Sequence, residues 1–207
     1  MKLLIIDYGA GNLRSVARAV AHAGGQPLVS SDPGGLSSAE AVIMPGVGAA
    51  ADTMRNLRQR GLVQPLLDYI ASGRPFLGVC MGQQVLFEVS EEGGEHPCLG
   101  VLPGRVVRLP QGLKVPHMGW NRVRFLRPHP IFEGVPDGAY FYFVHSYYPQ
   151  PRDSADTIAV ADYGVEFAAA VARDNVVATQ FHPEKSGGMG LRLYENFLKL
   201  AAAVTSS

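Results

Sequence analysis

Cys80 stands in Gly78-Val79-Cys80-Met81-Gly82, a thiol with a glycine two residues away on either side, at the end of the apolar run Pro75-Phe76-Leu77. That spacing fits a nucleophile elbow: a strand enters a sharp turn, a helix leaves it, and the reactive side chain is raised above the sheet edge. A side chain at 78 or 82 would collide with the strand and helix that approach there. A thiol at a helix N-terminus also faces the positive end of the helix dipole, which favours its anionic form. Free cysteine is nevertheless among the most buried residue types, so this segment alone fits a packed core as well as a reactive site.

A thiol nucleophile needs a base to take up its proton and return it to the leaving group, and the base needs a third group to fix its orientation. His182 and Glu184, in Gln180-Phe181-His182-Pro183-Glu184-Lys185-Ser186, are of the types required. Pro183 disfavours a helical His182, and in an extended segment residues i and i+2 lie on one side. The order Cys, His, Glu, with the acid two residues past the base, is far more restrictive than any one of them. His22, His96 and His129 have no such neighbours and read as ordinary surface or core residues.

The elements that must position these groups alternate in the manner of a parallel α/β sheet covered by helices. Leu3–Ile6, a weaker segment near Leu28-Val29, Ala41–Met44 and Phe76–Val79 read as strands. Helices are expected from Asn12 to about Ala23, over Ala50–Gln59 and Leu62–Ser72, and from the elbow to about Val89. Beyond Gly100 the segments 101–109, 119–126, 139–144, 157–161, 165–171 and 176–181 are β-rich with Pro and Gly turns. The expected fold is therefore an open, mostly parallel sheet flanked by helices, with antiparallel hairpins added in the C-terminal half. A last helix runs from Met189 to about Ala203, and 204–207 read as a frayed tail. Asp7 to Asn12, Pro45 to Gly48, Cys80 and His182 each follow a strand, where open sheets bind ligands.

The 207 residues, 47% of them apolar, suffice for one domain spanning 1–207. Eighteen basic residues balance eighteen acidic ones, so no strong field collects nucleic acid or an anionic membrane. The two cysteines, Cys80 and Cys98, are too few for a disulfide framework and show no metal-ligand spacing. The apolar run after Met1-Lys2 is too short for a signal peptide or a membrane span, which points to a reducing cytoplasm.

The chain resembles the class I (triad) glutamine amidotransferases through Gly78-Val79-Cys80-Met81-Gly82-Gln83-Gln84 and Phe181-His182-Pro183-Glu184. Within them it is similar to the glutaminase subunits of imidazole glycerol phosphate synthase. Asp7-Tyr8-Gly9-Ala10-Gly11-Asn12, Pro45-Gly46-Val47-Gly48, Pro116-His117-Met118-Gly119-Trp120-Asn121 and Phe141-Tyr142-Phe143-Val144-His145-Ser146-Tyr147 carry that likeness, in the family's order.

The resemblance implies a Cys80, His182, Glu184 triad acting on L-glutamine without a cofactor. It implies an oxyanion hole at Gly46, Val47 and Gly48, where a peptide can turn over, with the Met81 N–H as second donor. Without the resemblance, Pro45–Gly48 is an ordinary turn after a strand. Gln84, Glu92 and the segment His145, Ser146 and Tyr147 match glutamine-binding positions, although Glu91-Glu92 beside a Gly-Gly pair also fits a solvated acidic turn. Gln83 departs from the methionine found in many relatives. His117, Met118, Trp120 and Tyr142 match a surface that faces a (β/α)8-barrel cyclase subunit, to which ammonia passes; the chain is too short to contain that barrel. Two alternatives stay open at this level: the glutaminase of another triad amidotransferase, such as that of pyridoxal phosphate synthesis, and a non-catalytic binding protein of the same fold.

Overall fold

The computed structural model of the protein describes residues 1–205. Strands β1 (Leu3–Ile6), β2 (Pro27–Ser30), β3 (Ala41–Gly46) and β4 (Phe76–Cys80) alternate with helices α1 (Leu13–His22), α2 (Gly34–Ser38), α3 (Ala50–Gln59) and α4 (Val63–Ala71). The chain continues through α5 (Met81–Gln84), β5 (Phe87–Ser90), β6 (His96–Pro97), β7 (Leu102–Arg108), β8 (His117–Arg122) and β9 (Arg124–Phe125). It ends with β10 (Tyr140–His145), β11 (Tyr147–Pro151), β12 (Thr157–Asp162), β13 (Glu166–Arg173), β14 (Val176–Thr179) and α6 (Gly187–Thr205).

The main sheet has eight strands in the order β2-β1-β3-β4-β14-β13-β12-β9. Its first five are parallel and its last three join antiparallel. β1, β3 and β4 are buried along their whole length, which is why they read as unbroken apolar runs. Their period-2 alternation sorts side chains into two cores. Leu3, Ile5, Ile43, Leu77 and Val79 pack toward Val16 and Val20 of α1 and Leu193 and Phe197 of α6. Leu4, Ile6, Val42, Met44 and Phe76 pack toward Met54 and Leu57 of α3 and Leu66 and Tyr69 of α4. Two smaller sheets have the orders β10-β8 and β11-β7-β5-β6, and β10 and β11 meet the elbow, with the Val144 carbonyl 4.0 Å from Cys80 Sγ and the Tyr147 carbonyl accepting from Gln84.

Besides α2 and β6, which the sequence did not suggest, and the expected strand 119–126, which divides into β8 and β9 in different sheets, three elements differ from the sequence reading. The helix leaving the elbow is a single turn, and Phe87–Ser90 is a strand that pairs in parallel with β7. The apolar run Val85-Leu86-Phe87 is fully buried and too short for periodicity to separate helix from strand. Residues 147–151 form β11, although Pro149 and Pro151 argue against a strand; β11 is an edge strand, where a missing N–H is tolerated. Val204 and Thr205 belong to α6 rather than to a frayed tail, while Ser206 and Ser207 lie outside the described residues. Among the described residues no helix is long and apolar enough to cross a membrane.

Candidate active site

Three parallel strands deliver the chemistry to one edge of the sheet. Gly46 at the end of β3 pairs with Cys80 at the end of β4, and Val79 pairs with Thr179 at the end of β14, so His182 follows three residues past the same edge. The turn at the thiol is tight. Cys80 has φ 54° and ψ −106°, a conformation that non-glycine residues rarely adopt and that strained functional turns retain. A Cβ on Gly82 would stand 2.0 Å from the Met44 carbonyl oxygen, and one on Gly78 would stand 2.5 Å from the Gly82 carbonyl oxygen. Both glycines are there because backbone passes backbone. Since α5 is a single turn, its dipole is that of a few peptides, and the cation facing the sulfur is His182.

His182 is extended (φ −100°, ψ 99°), but Glu184 lies in the 3-10 turn Pro183–Lys185 that follows. The acid therefore reaches the base through a tight turn and not along an extended strand. His182 Nδ1–H donates to Glu184 Oε1 at 2.8 Å, with both side chains almost wholly buried. Ser186 holds this turn against β10: its hydroxyl donates to the His182 carbonyl at 2.6 Å and accepts from the Tyr142 N–H at 3.0 Å. Burial opposes a charge on His182, yet the Cys80 sulfur and the Glu184 carboxylate together outweigh it and bring its pKa up to about 10. Nε2 has no hydrogen-bond partner of good geometry. Catalytic hydrogen bonds are often loose until substrate arrives.

A cavity of about 370 Å³ at this edge is lined by Val47, Gly48, Cys80, Met81, Gln84, Glu92, His145, Ser146, Tyr147 and His182, together with Lys185. It lies near the small end of the roughly 300–1,000 Å³ range of ligand pockets. An open groove of about 700 Å³ around Phe125–Pro130 is larger but holds none of these groups. Gln84 Nε2 donates to the Tyr147 carbonyl at 2.8 Å and to Gln180 Oε1 at 3.0 Å, leaving Gln84 Oε1 buried without a donor. Glu92 Oε2 accepts from the Ala50 N–H at the start of α3, at 3.0 Å. Burial raises its pKa above the usual carboxylate value, with the Ala50 bond opposing. Of the two glycines flanking Val47, only Gly48 is free, with φ +91° and open space around its Cα. Gly46 is confined instead, since a Cβ there would stand 2.5 Å from the Tyr8 hydroxyl and 2.6 Å from Met81 Cβ.

Strand alternation on β8 corrects one expected surface residue. Met118 (62% exposed) and Trp120 (56%) point outward, whereas His117 points inward and is only 4% exposed. Trp120 meets the half-buried Tyr142 of β10 edge to face, with ring centroids 6.1 Å apart. His117 stacks between Tyr163 and Phe143, and its Nδ1–H donates to His145 Nε2 at 2.9 Å. His145 Nδ1–H in turn donates to the Tyr147 carbonyl at 2.9 Å. This direction is the one that gives each neutral ring a single proton and a single acceptor. Burial lowers the pKa of His117 to about 4 and that of His145 to about 3.

The sequence reading passed over Gln180 and Lys185. Gln180 Nε2 lies 3.6 Å from Cys80 Sγ, so Gln180 bridges the sulfur to Gln84. Its place in the His182 segment, one residue past β14 and facing the elbow, was the available signal. Lys185 Nζ sits 5.6 Å above the Tyr142 ring, linking the cavity to the exposed face of β8 and β10. Among the described residues no group of three or more His, Cys, Asp or Glu side chains could hold a metal.

Residues 4–201 match the family described as glutamine amidotransferase class-I. The chain is 52% identical over 199 residues to the imidazole glycerol phosphate synthase subunit HisH of Dehalococcoides mccartyi strain CBDB1, covering 96% of this chain and 97% of that one. It is 55% identical over 195 residues to the subunit of the same name from Desulfitobacterium hafniense strain DSM 10664 / DCB-2, covering 94% and 92%. A solved glutamine amidotransferase aligns with a TM-score of 0.76 at 22% identity over 96% of this chain and 98% of that one. The solved structure of PurLQS from Thermotoga maritima gives 0.75 at 18% identity, covering 96% and 98%. At such identities these two structures speak for the fold alone.

Proposed function

The chain belongs to the class-I glutamine amidotransferases, and we propose that it is the glutaminase subunit of imidazole glycerol phosphate synthase, releasing ammonia from L-glutamine in histidine biosynthesis. One observation carries this reading. Cys80 and His182 line one cavity with Val47 and Gly48, and Glu184 is hydrogen-bonded to His182 behind it, in a chain 52% and 55% identical, over nearly its whole length, to subunits bearing that synthase's name.

Cys80 Sγ, as the thiolate, attacks the side-chain carbonyl carbon of glutamine. The carbonyl oxygen takes up the negative charge and is met by backbone N–H groups of the Gly46–Gly48 loop and of Met81. His182 Nε2–H gives its proton to the amide nitrogen, the C–N bond breaks, and ammonia leaves a thioester on Cys80. Neutral His182 then takes a proton from water, whose oxygen attacks the thioester carbon; the C–S bond breaks, glutamate departs and the ion pair is restored. Glu184 keeps the imidazole in the tautomer that presents Nε2 and stabilises its charged form. Gln84 and Glu92 hold the substrate's polar groups, Glu92 suiting its ammonium, while the backbone at His145-Ser146-Tyr147 faces the carboxylate.

The whole chain works as one amidotransferase domain in the cytoplasm. Its outward face of Met118, Trp120 and Tyr142 docks a (β/α)8-barrel cyclase subunit, which consumes the ammonia. The test is to co-express the chain with such a cyclase, isolate the heterodimer, and measure glutamine-dependent formation of imidazole glycerol phosphate. A stable heterodimer that releases glutamate but makes no product would assign the ammonia to another acceptor.

A further inference from the structure

Two polar atoms next to the triad have no hydrogen-bond partner of good geometry: Glu184 Oε2 and the hydroxyl of Tyr194. Each is sealed from water, and leaving such atoms unpaired is costly. Helix geometry brings them together. α6 passes so close to the triad's 3-10 turn that a Cβ on Gly190 would stand 1.8 Å from the Pro183 carbonyl oxygen. Tyr194 lies one helical turn beyond Gly190, on the same face, and long helical side chains lean back toward the N-terminus. Its ring is wholly buried in the core under the sheet, and its hydroxyl comes within electrostatic reach of the Glu184 carboxylate.

We propose that Tyr194 is a positioning residue for the triad: its O–H donates to Glu184 Oε2 while Glu184 Oε1 accepts from His182, so the carboxylate is gripped at both oxygens. A carboxylate held only at Oε1 can rotate about its last bond, and the imidazole follows it. Gripped at both ends, it fixes the ring plane that aims Nε2 at the sulfur and at the leaving nitrogen. Burial first, and then Glu184, holds the phenol well above its ordinary pKa, so it stays a donor throughout. Cys80 from β4, His145 from β10, and Glu184 with Tyr194 behind it are the titratable groups that face His182 or act on it through Glu184.

This inference rests on the glutaminase reading, and its test keeps the two apart. Tyr194→Phe keeps the ring in the core and removes only the hydroxyl. In the heterodimer with the cyclase, kcat for glutamate release is expected to fall roughly tenfold, as for a lost hydrogen bond to a charged group, with KM for glutamine unchanged. In the chain labelled with 15N-histidine, the pH at which His182 loses its proton, near 10 in the wild type, is expected to fall. On a Glu184→Gln background the same substitution is expected to move that midpoint no further. An unchanged kcat, a raised KM with kcat intact, or an equal displacement of the midpoint on both backgrounds overturns the proposal. If the wild-type heterodimer releases no glutamate, the glutaminase reading fails, and the His182 titration still decides whether Tyr194 acts through Glu184.

Discussion

Gly46 and Cys80 are register partners on adjacent parallel strands, so the loop that carries Val47 and the strained thiol leave the sheet side by side. An oxyanion formed at the sulfur is then within reach of backbone donors from both strand ends. On the proposed reading, this site breaks the amide bond and the partner subunit takes up the nitrogen. Cys80→Ala is therefore expected to abolish glutamine-dependent synthesis in the heterodimer, by roughly 10³-fold or more, while synthesis from added ammonium salt stays near wild type. Steady-state rates with the two nitrogen sources check this. Equal loss of both activities in a folded complex would sink the division of labour.

The free subunit is expected to be a poor glutaminase. Gly46 is confined by Tyr8 and Met81, but Gly48 is unconfined at φ +91° and Val47 is exposed, so the loop has room to turn on its outer side. A missing oxyanion donor costs on the order of 10²–10³ in kcat. Glutamate production by the chain alone, set against the heterodimer with acceptor ligand bound, measures the difference. Full activity without the cyclase would reduce Pro45–Gly48 to an ordinary turn.

Gly82 and Gly48 are both required, for different physical reasons, and stability separates them. A Cβ on Gly82 meets the Met44 carbonyl oxygen at 2.0 Å, and neither backbone can yield without opening the elbow. Gly82→Ala is expected to cost about 3 kcal/mol or more, at or above the usual range for overpacking. A Cβ on Gly48 meets open space, so Gly48→Ala carries only the strain of its positive φ, roughly 1–2 kcal/mol. Urea denaturation of the two variants orders them.

Much of this was legible beforehand, and the failures have local causes. The grouping of Cys80, His182 and Glu184 was readable because those residue types in that order have few other uses, and the parallel core because both of its faces are covered. The inward turn of His117 could have been read by counting back from Trp120, since odd and even positions on a strand face opposite ways. Recognition by motif obscured that, by treating the segment as one surface. Tyr194 was hidden for another reason: in the stripe Leu193, Tyr194, Phe197 and Ala201 it reads as one more core side chain, and only the packing of α6 on the 3-10 turn brings its hydroxyl toward Glu184. Gln180 and Ser186 act through contacts with residues distant in sequence, which no local pattern carries.

The buried histidine pair predicts an acid limb in stability. Burial depresses the pKa of His117 to about 4 and that of His145 to about 3, below the unfolded value near 6.5. Below pH 6.5 the unfolded chain therefore binds protons that the native pair refuses. The pair's contribution is complete above that pH and is lost as the pH falls toward 4, by an amount on the order of a few kcal/mol. His129, also depressed, by burial and by Arg127, adds to the same limb. His182 behaves in the opposite sense. Its pKa is raised to about 10, so its stabilisation is complete below about 6.5 and is lost as the pH rises through 10. Urea midpoints between pH 4 and 7 are expected to fall less steeply for His117→Phe, which keeps the stack on Tyr163 and Phe143, than for wild type. Parallel curves would mean that the pair is protonated in the native state.

Trp120 separates docking from chemistry. It is exposed, it rests edge-on against Tyr142, and Met118 beside it on β8 is exposed as well, so an aromatic and apolar face is joined to the cavity through Lys185, which lines the cavity and sits over the Tyr142 ring. Such aromatic groups commonly supply a large part of the binding energy of an interface. Trp120→Ala is expected to weaken association with the cyclase by about 2 kcal/mol, roughly thirtyfold in Kd. Because the indole points away from the core, the substitution removes no contact to Cys80, His182 or Glu184. Labelling of Cys80 by a glutamine-mimicking electrophile in the free subunit is therefore expected to proceed at the wild-type rate. Titration calorimetry measures the first quantity and labelling kinetics the second. Unchanged affinity would place the docking energy elsewhere on β8 and β10, and slowed labelling would make Trp120 a support of the active site.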